Sequence, residues 1–238
     1  MTAGRTTRDP ALTKVVERQM RNWELSRSQR YAVPETQRKE VADFITISRA
    51  VGAGGDEAAV RLGQRLGWPV FDRELLDVMA GDDELRRQIY GSMDERDVGW
   101  VEEMLRSLAQ PGFAKNDYFH RLTETVLTLA RQGHAVFLGR GVDLILPRGI
   151  GLRMRLTAPF DTCVDRVARE RGLSRPEAKA EVTRLEAERG GFIHQHFGRE
   201  AGEATRYDVV LNLARFGVDA TVDLILCANR KLSACSPA

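Results

Sequence analysis

A glycine-rich segment between a short β-branched run and a helical pattern is the part of the sequence best suited to chemistry. It reads Ser48-Arg49-Ala50-Val51-Gly52-Ala53-Gly54-Gly55-Asp56-Glu57. A chain that reverses from a strand directly into a helix aims several backbone N–H groups at one point, and the helix dipole adds positive charge there. Glycine lets this backbone approach an anion closely. The segment predicts a phosphate-binding loop, or a strand–helix turn without a ligand, and its candidate binding residues are Gly52, Ala53, Gly54, Gly55, Asp56 and Glu57.

The loop departs from the usual phosphate-binding pattern G-x-x-x-x-G-K-[ST] at the positions that matter most for charge. Gly55 stands where that pattern has lysine, and Asp56-Glu57 replace the hydroxyl that binds magnesium. Two carboxylates repel a polyphosphate unless a metal intervenes, although Asp56 could instead cap the helix. Arg49 is the nearest cation, and we expect it to replace the missing lysine. By the same logic, a lysine introduced at Gly55 should strengthen phosphate binding.

Short apolar runs alternate with helical patterns along most of the chain. Because the runs are nearly continuous rather than alternating with polar residues, they are typical of a parallel sheet covered on both faces. The stretch 82–132 is predicted to be helical, with breaks near Gly91 and Pro111-Gly112 and a cap at Asn116. The fold class is therefore α/β, with strands expected at Asp43–Ser48, Trp68–Asp72, His134–Leu138, Leu152–Thr157 and Tyr207–Leu211.

Residues 1–40 differ in texture from the rest and are predicted to form a helical arm and linker, followed by one main domain over 41–238. Apolar residues recur at helical spacing through Trp23, after a helix entry at Asp9-Pro10. The arm carries nine basic and five acidic residues. Its apolar stripe favours packing on the main domain or on a second copy of the chain over a free basic tail.

Composition excludes several classes of protein. The chain has 238 residues, 42% apolar and 29% charged, with a formal net charge of +2, which is globular and too balanced to indicate a nucleic-acid coat. No apolar run approaches the roughly 18 residues of a membrane span. Three cysteines without CxxC spacing argue against a disulfide framework or a cysteine-rich zinc site. We expect a soluble cytoplasmic protein without a membrane or nucleic-acid partner.

Besides the glycine loop, several segments between about residues 43 and 228 match the motifs of one known family, and they occur in the same order along the chain. Together they resemble the cytidylate kinase-like group of P-loop proteins with the nucleoside monophosphate kinase fold, in which the lysine-less loop is usual. Besides residues 45–49 and 52–55, the resemblance rests on Phe71-Asp72-Arg73-Glu74, Phe137-Leu138-Gly139-Arg140-Gly141, Leu156-Thr157-Ala158-Pro159-Phe160, Glu186-Ala187-Glu188-Arg189 and Tyr207-Asp208-Val209-Val210-Leu211-Asn212.

The resemblance implies a three-layer P-loop NTPase-type sheet, a helical lid and an ATP-dependent phosphotransferase. ATP would bind the glycine loop and Arg49, and Mg²⁺ would bridge its phosphates, with Asp72 or Glu57 as the nearest protein ligands. The partners would then be small nucleotides. If the acceptor is already an ionised phosphate, no general base is needed; if it is a hydroxyl, Glu57 or Asp72 would have to serve.

The resemblance also places an acceptor pocket and a lid. Asp72, Arg73 and Arg140 match positions at the acceptor nucleotide, although Asp72 could be a helix cap and Arg140 could pair with a structural carboxylate. True cytidylate kinases have an acid directly after this arginine, whereas here Gly141 follows it. Two helical patterns over about 165–198 match the lid, and its arginines would clamp the transferred group. The lid positions that match best are Arg166, Arg169 and Arg189.

Two other classes of function remain open on the sequence. The loss of the lysine, the hydroxyl and the acid after Arg140 would suit a nucleotide-binding regulator without turnover. An interaction module that forms oligomers through the N-terminal arm would keep the same fold with a pocket that has lost its role. Fold alone does not decide among these readings.

Overall fold

The computed structural model describes residues 10–34, 36, 41–108 and 117–235. The predicted break at Pro111-Gly112 and the predicted cap at Asn116 lie outside these residues. So do Asp9 and half of the predicted linker over residues 31–40. No helix in the described part of the chain is long and apolar enough to cross a membrane.

Five parallel strands form one sheet in the order β2-β3-β1-β4-β5. Central β1 pairs Thr46 with Phe137 on one side and with Arg153 on the other. All five predicted strands are confirmed, with shorter bounds for the second. Their bounds are Phe44–Arg49 (β1), Val70–Phe71 (β2), Ala135–Leu138 (β3), Leu152–Thr157 (β4) and Val209–Asn212 (β5).

Helices cover both faces of the sheet. One hydrophobic cluster joins the sheet to α1, α3, α5 and α6, and a second joins it to α2 and α10, which gives the predicted three layers. The single-turn helix α7 is too short to leave a periodic pattern. The helices are Pro10–Tyr31 (α1), Gly55–Leu66 (α2), Arg73–Gly81 (α3), Asp83–Tyr90 (α4), Glu95–Leu108 (α5), Asp117–Gln132 (α6), Val142–Ile145 (α7), Phe160–Arg171 (α8), Arg175–Phe197 (α9) and Leu213–Cys235 (α10), the last kinked at Gly217.

Helix α1 packs into the core of the main domain. Trp23 is 2% exposed, and its indole Nε1–H donates to the Leu129 carbonyl at 3.1 Å. A side chain on Gly133 would collide with this indole, since its Cβ would lie 2.8 Å from Nε1. Arg30 donates to the Arg131 carbonyl at 2.7 Å. The apolar stripe of the arm is thus used within the chain, and a contact between two copies stays a prediction.

Candidate functional site

The glycine loop turns the chain from β1 into α2 at the carboxyl end of the sheet. Gly52 and Gly54 have φ of 76° and 88°, the left-handed region that favours glycine. Gly54 is the N-cap of α2 and leaves the first turn without a side-chain cap. The alternative that Asp56 caps the helix is not what the structure shows, and with glycine at the N-cap the N-terminus of α2 is suited to an anion.

Arg49 lies against the loop in the space that a lysine at position 55 would need. A Cβ on Gly55 would lie 2.7 Å from the Arg49 Cβ, and a Cβ on Gly139 would lie 2.6 Å from its Nη1. Among the described residues, the buried Nε of Arg49 has no hydrogen-bond partner. The two glycines hold a guanidinium beside the loop, which is what a substitute for the missing lysine requires.

Asp56 forms an ion pair with this guanidinium at 2.7 Å. Burial alone would raise the pKa of the Asp56 carboxyl, but the charge and hydrogen bond of Arg49, helped by the charge of Arg189, hold that pKa below its usual range. Asp56 is therefore ionised near neutral pH. Part of the positive charge of Arg49 is neutralised as long as this pair persists.

Helices α8 and α9 form a hairpin that closes on the glycine loop. Its boundaries agree with the sequence: Gly172 ends α8 in the left-handed conformation, and Ser174 with Glu177 forms the predicted capping box of α9. The side chain of Val51 is buried among apolar residues of the hairpin, namely Val164, Val167, Ala178 and Val182. The lid and the loop thus share one small core.

Two of the three predicted lid arginines reach the loop. A Cβ on Gly54 would overlap the Arg166 guanidinium, so Arg166 lies directly over the N-terminus of α2. Arg189 donates to the Arg49 carbonyl at 3.0 Å. Burial, and next the charge of Arg49, lowers the pKa of Arg189 to about 10. It stays protonated at neutral pH in surroundings that favour an added anion.

Arg169 is exposed on α8, and the structure does not bring it to the loop. The remaining arginines of the lid stabilise the hairpin itself through exposed ion pairs. These are Arg171 with Glu181, Arg175 with Asp161 and Asp165, and Arg184 with Glu181 and Glu188.

A lid carboxylate also reaches the loop. The Val51 N–H donates to Oε1 of Glu186 at 2.5 Å. The sequence contained Glu186 within a motif but gave no reason to place it here. An acid thus holds one of the loop amides that a phosphate could use.

A cleft of about 430 Å³ lies between the carboxyl ends of β1, β3 and β4 and helix α9. Arg140 faces it with a φ of 54°, an uncommon conformation for a residue with a side chain. Its guanidinium pairs with Asp77 and lies 4.9 Å from the centre of the Phe192 ring. The alternative that Arg140 pairs with a carboxylate is thus what the structure shows. The partner is not Asp143, which pairs with buried Arg206 at 2.7 Å.

Asp77 links Arg140 to the phenol of Tyr118. The Tyr118 hydroxyl donates to Asp77, and burial followed by this hydrogen bond raises the pKa of the phenol. Arg73 lines the cleft with its Nε 3.8 Å from Asp77. This side of the cleft therefore offers two guanidinium groups that share one carboxylate.

The two candidate magnesium ligands are engaged in local structure. Asp72 accepts a hydrogen bond from the Leu75 N–H at 2.9 Å and so caps α3, the alternative that the sequence left open. Glu57 pairs with Arg61 at 2.8 Å. Within the ranges that the structure describes, no three His, Cys, Asp or Glu side chains cluster to hold a metal. Mg²⁺ needs only one or two carboxylates when phosphates and waters complete its shell, so the residues fit an ion that arrives with a nucleotide.

Several residues of the site were missed by sequence reasoning. Asp77 follows Arg73 at helical spacing, which signals a pair but not its contact with Arg140. Arg155, which also lines the cleft, is one of two arginines in β4, and nothing in the sequence distinguishes it from Arg153. The remaining two, Tyr118 and Phe192, gave no signal beyond helical periodicity.

Comparison with known proteins agrees with this geometry. The cytidylate kinase from Halorubrum lacusprofundi is 27% identical over 183 residues, which cover 77% of this chain and 87% of that protein. The crystal structure of an uncharacterised protein from Eubacterium ventriosum shares the fold, with a TM-score of 0.66 and 20% identity over 81% of this chain and 99% of that one. The model of the cytidylate kinase-like family matches residues 44–215. The chain therefore belongs to the cytidylate kinase-like family.

Proposed function

We propose that this protein is an ATP-dependent phosphotransferase of the nucleoside monophosphate kinase type, with cytidylate as the first acceptor to test. One observation carries the proposal. Arg166 and Arg189, from two helices of the lid, converge on Gly54 and Arg49 of the glycine loop. Phosphoryl transfer depends mainly on positioning and on neutralising negative charge, and this arrangement supplies both.

Each group then has a role. The N–H groups of Gly52–Gly55 bind the donor phosphates, and Arg49 takes the place of the lysine. Arg166 and Arg189 neutralise the transferred group, and Arg169 would join them only after further closure of the lid. Glu57 or Asp72 would hold Mg²⁺, directly or through water, and the ion would supply charge neutralisation at the phosphate oxygens.

The acceptor side favours a substrate whose attacking oxygen is already ionised. Arg140 and Arg73 provide guanidinium forks that suit phosphate, and Asp72 caps α3, the helix that begins with Arg73. The two candidate general bases, Glu57 and Asp72, are bound to Arg61 and to the Leu75 N–H. A phosphate acceptor needs no such base, whereas a hydroxyl acceptor does.

A regulator that binds nucleotide without turnover is the second candidate, and the contact between Glu186 and the Val51 N–H favours it. A phosphate at that amide has to displace a carboxylate.

The deciding experiment incubates the purified protein with Mg²⁺, ATP and each nucleoside monophosphate, and follows diphosphate formation by chromatography. Turnover supports the kinase, whereas ATP binding in calorimetry without product supports the regulator. The absence of both supports an interaction module, which chromatography of the oligomeric state would then examine. Arg166→Ala should lower the rate about 100-fold or more. Arg184→Ala, on the same lid but within an exposed ion pair, should leave it unchanged.

A further inference from the structure

The arginines that line the cleft differ in how their charge is neutralised. Arg49 pairs with Asp56, Arg140 with Asp77, and buried Arg206 with Asp143. Arg155 and Arg189 also line the cleft, and neither forms an ion pair with a carboxylate of residues 10–34, 36, 41–108 or 117–235. Half-buried cations are usually paired with an anionic group. Two arginines in one cleft without such a partner therefore favour the binding of an anionic ligand there.

Arg155 is held in place by neutral groups. It lies opposite Ser48 in the register of β1 and β4, and its Nη1–H donates to the Ser48 hydroxyl at 2.9 Å. Its guanidinium carbon lies 5.7 Å from the centre of the Tyr207 ring. A hydroxyl and an aromatic face orient the guanidinium without cancelling its charge.

The neighbouring arginine of the same strand shows what a structural arginine looks like here. Arg153 is buried, and its guanidinium donates to the carbonyl oxygens of Asp143, Leu146, Pro147 and Ile150. Every direction of that side chain is taken up by backbone. Arg155, two residues further toward the carboxyl end of the sheet, opens onto the cleft instead.

Arg155 and Arg189 contact adjacent residues at the end of β1. Arg155 donates to the Ser48 side chain, and Arg189 donates to the Arg49 carbonyl. The two guanidinium groups therefore approach the start of the glycine loop from the strand side and from the lid side. An anion between them would lie beside the loop, within the cleft.

We propose that Arg155, with Arg189, binds the phosphate of the acceptor, a nucleoside monophosphate, and that Arg155 is thereby a determinant of acceptor specificity. This inference rests on the proposed function. Guanidinium groups bind phosphate oxygens through two parallel hydrogen bonds, and two such groups match a phosphomonoester dianion. The cleft volume of about 430 Å³ falls in the range of ligand pockets.

The test measures binding by calorimetry with CMP, UMP, AMP and GMP, and with the matching nucleosides and ATP. For the nucleotide that binds, Arg155→Leu should raise the dissociation constant about 10- to 100-fold. Arg155→Lys should recover part of the loss. Binding of the nucleoside without phosphate, and of ATP, should change less than about threefold. Arg65→Leu, in an exposed ion pair at the far end of α2, is the matched control.

Several outcomes overturn the inference. One is unchanged monophosphate binding in a folded Arg155→Leu protein, and another is an equal loss with the nucleoside or with ATP. If no monophosphate binds the wild type, the inference also fails. If Arg155→Leu does not fold, Arg155→Lys takes its place. An Arg155→Lys protein that has wild-type thermal unfolding and unchanged affinity for the monophosphate and the nucleoside would overturn the inference.

The proposed function can fail separately. Binding that depends on Arg155 without any diphosphate formed from ATP would refute the kinase and keep the inference. Diphosphate formation with the same KM for the acceptor in the wild type and in Arg155→Leu would keep the kinase and refute the inference about Arg155.

Discussion

The Glu186 carboxylate accepts a hydrogen bond from the Val51 N–H at 2.5 Å, across 135 residues of sequence. Val51 is the second residue after β1, and its side chain is buried in the core of the lid. The same residue therefore ties the lid to the loop through its side chain and through its backbone. Because the acceptor oxygen is anionic, it occupies an amide in the way that a phosphate oxygen would.

Replacing Glu186 by glutamine should strengthen ATP binding. The amide oxygen can still accept from Val51, but the negative charge that repels the phosphates is gone, and we expect a several-fold lower dissociation constant. Calorimetry with Mg²⁺ and ATP measures the change. Glu170→Gln, an exposed acid on α8, removes the same charge without a loop contact and should have little effect. Equal binding in Glu186→Gln would show that the charge of this acid does not oppose the nucleotide, and weaker binding would show that the acid helps to hold it; either result contradicts the prediction.

Arg49→Ala should weaken ATP binding by about 1.5–3 kcal/mol, the loss expected for a hydrogen bond to a charged group.

The structure reverses the expectation for Gly55→Lys, which the sequence pattern presented as a gain in ATP binding. A side chain at position 55 collides with Cβ and Cγ of Arg49, so the variant should lose about 1–3 kcal/mol of stability and bind ATP less well.

The double variant Arg49→Gly with Gly55→Lys checks this explanation. Glycine at position 49 removes both the Cβ and the Cγ that a side chain at position 55 would meet, so the lysine has room and restores a cation at the loop. It should bind ATP more tightly than either single variant. An additive loss in the double variant would mean that Arg49 and position 55 do not compete for one place.

Gly54→Ala and Gly67→Ala separate backbone strain from function. These glycines cap the two ends of α2 and both have left-handed φ, 88° and 68°. Alanine should cost about 1–2 kcal/mol of stability at either position. A Cβ at Gly67 meets nothing within 4 Å, whereas at Gly54 it displaces Arg166. Only Gly54→Ala should therefore abolish nucleotide binding, and equal effects of both variants on binding would contradict the site.

The sequence was sufficient for features that depend on neighbouring residues. The five strands follow from continuous apolar runs, and the lid hairpin follows from Gly172 and the capping box at Ser174. These signals act within a few residues of the chain. The glycine loop is also a local feature, because its own glycines determine its conformation.

Contacts between distant segments could not be read in this way. Asp77 and Arg140 are 63 residues apart in the sequence, and they meet only when α3 packs against the sheet near the end of β3. Arg166 and Arg169 match the lid pattern equally well in the sequence. In the structure, however, α8 directs Arg166 toward Gly54 and leaves Arg169 exposed. The sequence also offered no way to tell Arg155 from Arg153. Which arginine finds a carbonyl, an acid or open space depends on tertiary packing.

Stability should fall in acid because of His196, which stacks on the Phe119 ring with centroids 4.4 Å apart. Burial, and next the charge of Arg140, lowers the pKa of His196 from its ordinary value of about 6.5. The unfolded chain takes up this proton as the pH falls below about 6.5, while the folded protein resists it until a lower pH. The contribution to folding is therefore complete above the unfolded pKa and is lost as the pH falls through the folded one.

His196→Phe keeps an aromatic ring against Phe119 and removes the titrating group. Urea unfolding between about pH 7.5 and 5 should show the variant losing less stability on acidification than the wild type. The remaining groups are common to both proteins, so their contributions cancel in the difference. A gap between wild type and His196→Phe that stays constant with pH would show that His196 is not the acid-sensitive group.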